Sequence, residues 1–162
     1  MSFEAAFSFL SERGYADRVQ TFSVSSATVD LAAKALGISG AHIAKSLTFM
    51  VDERPVMVLF AGDAKVDNHK YKAFFGKKAK MMTPEEVETH TGHRIGGVCP
   101  FGVKPGLDIY LDQSLRRFSE IYPACGSDNS AVCLTPAELE ELSDAREWID
   151  VSKLPQAETK IL

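Results

Sequence analysis

The run Ser46-Leu47-Thr48-Phe49-Met50-Val51, the joint Asp52-Glu53-Arg54-Pro55 and the run Val56-Met57-Val58-Leu59-Phe60-Ala61 decide the fold class. Two β-rich runs flanking a short polar, proline-containing joint read as a hairpin, and its apolar content places it in the core sheet. Upstream, Val29, Leu31, Ala32, Ala35 and Leu36 predict a helix capped by Ser25 or Ser26 and closed by Gly37. Further upstream, Phe3, Ala6, Phe7 and Leu10 recur at helical spacing and Gly14 follows, which predicts a helix over 3–13 and then a short strand near 19–24.

Downstream, residues 66–75 read as a helix ending at Gly76, and 79–82 as a further strand. Thr83-Pro84 with Glu86, and Thr135-Pro136 with Glu138, carry the same start signal: a capping threonine, a proline at the first helical position and a glutamate able to close a capping box. Between them lie a glycine-rich loop over 96–106, a strand over 108–111, and two apolar stretches, 120–124 and 131–134, able to pair across 126–129. Helices and hairpins interleave without strict β-α-β order, so the expected fold is α+β with a mixed or mostly antiparallel sheet. One compact domain over 1–154 and a detachable tail over 155–162 account for the chain.

The 162 residues amount to a single domain. With 45% hydrophobic and 25% charged residues, they suffice for one substantial core. Eighteen lysines and arginines against 22 aspartates and glutamates give a net charge of −4, which argues against a DNA-coating protein or a membrane-surface binder. No apolar run approaches the roughly 20 residues of a membrane span, and the N-terminus lacks the pattern of a secretory signal. The expected location is therefore the cytoplasm. Cys99, Cys125 and Cys133, odd in number and widely spaced, fit reduced thiols, with a Cys125–Cys133 bridge as the alternative.

The charge is segregated. Residues 64–80 hold Lys65, Lys70, Lys72, Lys77, Lys78 and Lys80 against Asp67 alone, whereas 138–150 hold six acidic residues against Arg146. The lysine-rich stretch is either a solvated helical face or a phosphate-contacting patch. Gly96-Gly97-Val98-Cys99-Pro100-Phe101-Gly102 prescribes an unusual backbone path, suited either to two tight turns or to a cradle of N–H groups for a carbonyl or phosphate. Lys45 interrupts the apolar approach to the hairpin, as a surface residue or an anion-holding point charge, and the residues before it do not form a phosphate-binding Walker loop. His90 and His93 are separated by Gly92 and accompanied by no metal-binding pattern, so neither metal nor cofactor is expected. Cys99 has no locally placed histidine to activate it, which favours a packed thiol over a nucleophile.

The order of these features resembles the YbaK and prolyl-tRNA synthetase-associated editing domains. The resemblance runs from about Thr28 to Leu142. It includes Ala35-Leu36-Gly37, Ile43-Ala44-Lys45-Ser46-Leu47-Thr48-Phe49, Leu59-Phe60-Ala61-Gly62-Asp63 and Thr91-Gly92 leading into Gly96–Gly102, then Asp112, Gly126 and Leu134-Thr135-Pro136. The Lys-Ser and GGxxPFG segments are its most specific parts.

The resemblance implies a compact α+β domain with a barrel-like mixed sheet flanked by helices. It also implies a trans-acting deacylase that hydrolyses the ester of a small wrong amino acid on tRNA, with tRNA-Pro the usual context and prolyl-tRNA synthetase a possible partner. It gives Lys45 the anchoring of the terminal adenosine, and Gly96 and Gly97 the ester carbonyl. Ser46, Val98, Cys99, Pro100, Phe101 and Gly102, with Gly126 and Ser127 from the late loop, bind the aminoacyl group, and Lys65, Lys70, Lys72, Lys77 and Lys78 meet the tRNA backbone. An aminoacyl ester is already activated, so oriented water or the substrate's own groups suffice without a protein nucleophile.

Some alanine-specific members carry a His-Pro and Asn-rich segment where this chain reads Tyr122-Pro123-Ala124-Cys125-Gly126-Ser127-Asp128-Asn129, so serine, threonine, cysteine and non-protein amino acids stay open. Two rival readings remain: a non-catalytic tRNA-binding or synthetase-associated module, and a thiol hydrolase using Cys99.

Overall fold

The computed structural model describes residues 2–155. Its helices are α1 (Ser2–Glu12), α2 (Val29–Leu36), α3 (Asn68–Phe75), α4 (Pro84–Thr91) and α5 (Pro136–Ser143). Its strands are β1 (Val19–Thr21), β2 (Ile43–Val51), β3 (Arg54–Ala61), β4 (Lys65–Val66), β5 (Asp108–Asp112), β6 (Tyr122–Pro123), β7 (Ser130–Val132), β8 (Trp148–Ile149) and β9 (Ser152–Lys153). The expected tail lies, from Gln156 onward, outside the described residues.

The hairpin is the centre of the molecule. β2 and β3 pair antiparallel from Ala44↔Ala61 to Val51↔Arg54, so Asp52 and Glu53 alone form the turn, with Asp52 left-handed at φ 57°. Arg54 and Pro55, read from sequence as part of the joint, belong to the strand. Met50 opposite Pro55 sends its N–H away from β3 to the Lys80 carbonyl, so the missing proline donor breaks no ladder bond. All six residues Val56–Ala61 are fully buried, as a central strand covered on both faces requires.

β6 and β5 flank the hairpin in parallel and β8 extends β5, giving the order β6-β2-β3-β5-β8. The sheet is mixed, as expected of this α+β domain. Bridges Ile121↔Leu134 and Ala124↔Ala131 carry pairing from β6 towards β7, which pairs with β1, so strand pairing continues around the core. β4 and β9 form a separate antiparallel pair.

Local signals mostly hold. Thr83 and Thr135 close full capping boxes, and Gly37 and Gly76 end α2 and α3 in the left-handed conformation. The cap of α2, however, is Thr28, whose hydroxyl accepts from the Leu31 N–H; Ser25 and Ser26 lie too far upstream. Residues 79–82 contribute only the bridge Met81↔Phe49. All three cysteines are free thiols. Among the described residues, no helix is long and apolar enough to cross a membrane.

One buried carboxylate fixes the geometry beside the hairpin. Asp112 accepts from the Ser114 and Val151 N–H groups, each at 2.9 Å, and from the Ser152 hydroxyl at 2.6 Å. Ser114 in turn accepts from the Ala61 N–H at 3.0 Å, tying the 3₁₀ turn Gln113–Arg117 to the end of β3.

Candidate active site

A cavity of about 340 Å³ opens where β2 begins. Its walls come from Lys45, Ser46 and Thr48 on β2, Val29 and Ala32 on α2, Ile95, Gly96 and Val98 on the glycine-rich loop, Tyr122 and Ala124 beside β6, and Met82 and Val87 around α4. Its size suits a small-molecule moiety. Lys45 is the only charged side chain among the described residues that line it, and no cysteine, histidine, aspartate or glutamate does so. The site offers one cation, several hydroxyls and backbone groups in an otherwise apolar enclosure. The Ser26 and Ser46 hydroxyl oxygens are buried there without a hydrogen-bond partner among the described residues.

Lys45 is held from behind. Its ammonium donates to the carbonyls of Gly62, at 3.3 Å, and Ala64, in the turn that leaves β3. Burial pushes its pKa down, Asp63 opposes that, and Lys65 adds to it. The turn is itself clamped, because Arg117 makes a two-point contact with Asp63 and also donates to the Ser114 carbonyl. Gly62 admits this arrangement: a Cβ there would lie 2.0 Å from the Gly40 carbonyl oxygen and 2.9 Å from Val29.

The structure divides the residues picked from sequence. Lys45, Ser46, Gly96 and Val98 meet at the cavity. Among the described residues, the N–H groups of Gly96 and Val98 have no protein acceptor, whereas the Gly97 N–H donates to the Arg94 carbonyl at 3.1 Å. Gly97, Gly126 and Ser127 line a second cleft, of about 380 Å³, against the N-terminus of α1. Gly97 is glycine because a Cβ would come within 2.6 Å of the Ser127 nitrogen, and Gly126 because one would come within 2.3 Å of the Ser2 carbonyl. Ser127 reaches the main cavity only indirectly, sharing a 2.6 Å bond with the lining residue Ser130.

Cys99, Pro100 and Phe101, expected at the substrate, are buried and absent from the cavity wall. Gly102 is likewise absent and packs on α1. Contrary to the sequence reading, a histidine does stand beside Cys99: His93 Nε2 lies 3.5 Å from its sulfur. The pair is still no nucleophile. Nε2 lies 2.7 Å from the Phe101 carbonyl, an acceptor that requires the proton there, so this nitrogen cannot serve as the base. Burial pushes the Cys99 thiol far up and the His93 imidazole down.

The lysines also separate. Lys70 contacts Asp150 at 3.1 Å and Lys77 contacts Asp52 at 3.6 Å, while Lys65, Lys72 and Lys78 are exposed. Missed from sequence were the walls from α2, Met82, Val87, Tyr122 and Ala124, and the exposed apolar residues Ile95 and Met81 at the same cavity. Their positions depend on contacts between distant segments, which no local pattern announces.

The aminoacyl-tRNA editing domain family matches residues 24–142, a span that contains β2, the glycine-rich loop and every described residue that lines the cavity. The chain belongs to that family. As a member it is an aminoacyl-tRNA deacylase, a hydrolase of the ester between amino acid and tRNA. The editing domain is 52% identical over 136 residues to the uncharacterized protein YwhH of Bacillus subtilis, covering 83% of this chain and 87% of that protein. It is 27% identical over 132 residues to the proline–tRNA ligase of Lactiplantibacillus plantarum, covering 81% of this chain but 23% of the ligase. It is also similar to a solved structure described as a "putative trans-editing enzyme for prolyl tRNA synthetase", with a TM-score of 0.84, 32% identity, and 94% and 97% of the two chains covered.

Proposed function

We propose that the protein acts in trans on tRNA-Pro, hydrolysing the ester of a small mischarged amino acid in the cavity at the start of β2. The observation that carries this reading is Lys45, the one cation lining an otherwise apolar enclosure among the described residues, held by the Gly62 and Ala64 carbonyls. In the proposed complex Lys45 anchors the terminal adenosine through its ribose or phosphate. The N–H groups of Gly96 and Val98, which have no acceptor among the described residues, supply donors for the ester carbonyl as negative charge develops on oxygen. Water, assisted by the substrate's vicinal hydroxyl, attacks the carbonyl carbon, the bond to the ribose oxygen breaks, and that oxygen leaves with a proton as the free amino acid forms. In a cysteinyl ester the substrate's own thiol attacks instead, the ribose oxygen leaves with the thiol proton, and the resulting thiolactone is opened by water. Ile95 and Met81, exposed and apolar at the cavity, suit the face of the terminal base. A relative with 28% identity over 116 residues, the "Putative Cys-tRNA(Pro)/Cys-tRNA(Cys) deacylase EbsC" of Enterococcus faecalis, supports the tRNA-Pro context.

A second sieve of this kind answers a physical need, since one pocket separates ligands differing by a small group by only about 1–3 kcal/mol. The reading places the protein in the cytoplasm beside translation, with mischarged tRNA as partner and prolyl-tRNA synthetase as the source of it. Purified protein is expected to release amino acid from tRNA-Pro carrying alanine, serine, threonine or cysteine. Cys99→Ser is expected to keep that activity, and its loss would support the thiol hydrolase. Salt-dependent tRNA binding without release of any of the four would support the non-catalytic module instead.

A further inference from the structure

The sequence assigns its lysines to one stretch and its acidic residues to another, but the fold brings a lysine from the acidic side across. β4 and β9 pair antiparallel with Lys65 opposite Lys153. Residues in such register have Cβ atoms about 5 Å apart on one face, and like charges so placed repel. Both lysines are exposed, and neither makes an ion pair among the described residues. The nearby Asp67 carboxylate accepts from the Lys70 N–H as the cap of α3, and its charge also acts on Lys153, offsetting part of the pair's repulsion without an ion pair to either lysine.

The location is informative. Lys65 follows directly on the turn whose carbonyls hold Lys45, so the lysine pair stands at the same end of the hairpin as the cavity. The opposite end, the Asp52 turn, is seven residues away along β2, roughly 23 Å at strand spacing. There Lys77 already has a carboxylate partner in Asp52. Next to the pair, a cleft of about 450 Å³ is lined by Lys153, Lys70 and Arg117, whose charges are only partly offset by Asp150 and Asp63.

We propose that Lys65 and Lys153 form a phosphate platform over which the acceptor strand of the bound tRNA leaves the cavity. The inference rests on the deacylase reading for the identity of the polyanion. A phosphate lying between the two ammonium groups relieves their repulsion. An RNA strand whose 3′ end occupies the cavity and that leaves past the turn at Gly62–Ala64 meets Lys65 and Lys153 there. A contact of this kind carries no sequence information, positions the substrate and is sensitive to salt.

The test is the salt dependence of tRNA-Pro binding by the full chain, with Lys65→Ala, Lys153→Ala and the double variant. Each lysine removed is expected to weaken binding and to reduce the slope of log K against log salt by about 0.7–0.9. Lys153→Arg is expected to restore it, and the exposed Lys104→Ala to keep the wild-type slope. With charged tRNA below saturation, the platform variants are expected to lose more rate than they lose on an aminoacyl-adenosine ester, which lacks the stem. Wild-type slopes in both single variants, or equal losses on the two substrates, would overturn the platform. Should the wild type bind tRNA with the expected slope yet hydrolyse none of the charged panel, the deacylase reading fails and the platform stands.

Discussion

The two halves of Gly96–Gly102 are adjacent in sequence and opposite in use. Gly96 and Val98 stand on the cavity wall with backbone donors that find no acceptor among the described residues, whereas Cys99 and Phe101 are fully buried and Gly102 is wedged under α1. Phe101 packs near Phe9 of α1, with ring centroids 6.2 Å apart. The same glycine- and proline-rich composition therefore lines the cavity in its first half and packs a helix in its second. Composition marks where the backbone is constrained; burial decides what the constraint is for.

The largest effect expected along this division is that of Lys45→Ala. It removes the only charged side chain that lines the cavity among the described residues and should cut deacylation by about a hundredfold or more, with the thermal midpoint little changed. Next come the glycines. Gly102 has φ +64°, and a Cβ there would lie 2.6 Å from the Ala5 carbonyl oxygen, so Gly102→Ala should cost on the order of 1–3 kcal/mol of stability and loosen α1. Gly96→Ala carries the strain of φ +98° but meets only ordinary contacts at 3.5 Å; its main effect should fall on kcat/KM. If the two variants exchanged these signatures in unfolding and kinetic measurements, the division would be wrong.

Arg117→Ala sharpens the picture from the other side of Lys45. It frees Asp63 and the turn bearing the carbonyls that hold the ammonium, so a loss of several-fold in kcat is expected, partly recovered by Arg117→Lys. The smallest effect is far from the cavity. Burial raises the Asp108 pKa, but Arg146 and Arg54 overcome it and hold the carboxyl below the usual aspartate range. Because the folded value lies below the unfolded one, the stabilisation is present above the unfolded pKa and lost as pH falls through the folded value. Asp108→Asn should lower the thermal midpoint by a few degrees at neutral pH and narrow that gap in acid.

Much of the frame was legible because its signals are local. The two β-rich runs with their polar joint, the two capping boxes and the stop at Gly76 each depend on neighbours a few residues apart. Lys45 and the loop at Gly96 stood out for the same reason. What was hidden depends on long-range pairing. Tyr122 lines the cavity because β6 lies parallel to β2, and Met82 because its N–H reaches the Thr48 carbonyl. Lys153 sits in a strand of two residues, too short to show any periodicity. His93 meets Cys99 only because the turn at 94–97 folds back, which residue spacing alone does not reveal.

The central claim is that the aminoacyl end of the tRNA occupies the cavity at the start of β2 and not the neighbouring cleft. Binding of a non-hydrolysable aminoacyl-adenosine, mapped residue by residue through backbone amide shifts, tests it directly. The account predicts the largest changes at Lys45, Ser46, Gly96 and Val98, and their loss in Lys45→Ala. Changes centred instead on Ser2, Gly97 and Ser127, and preserved in Lys45→Ala, would contradict it.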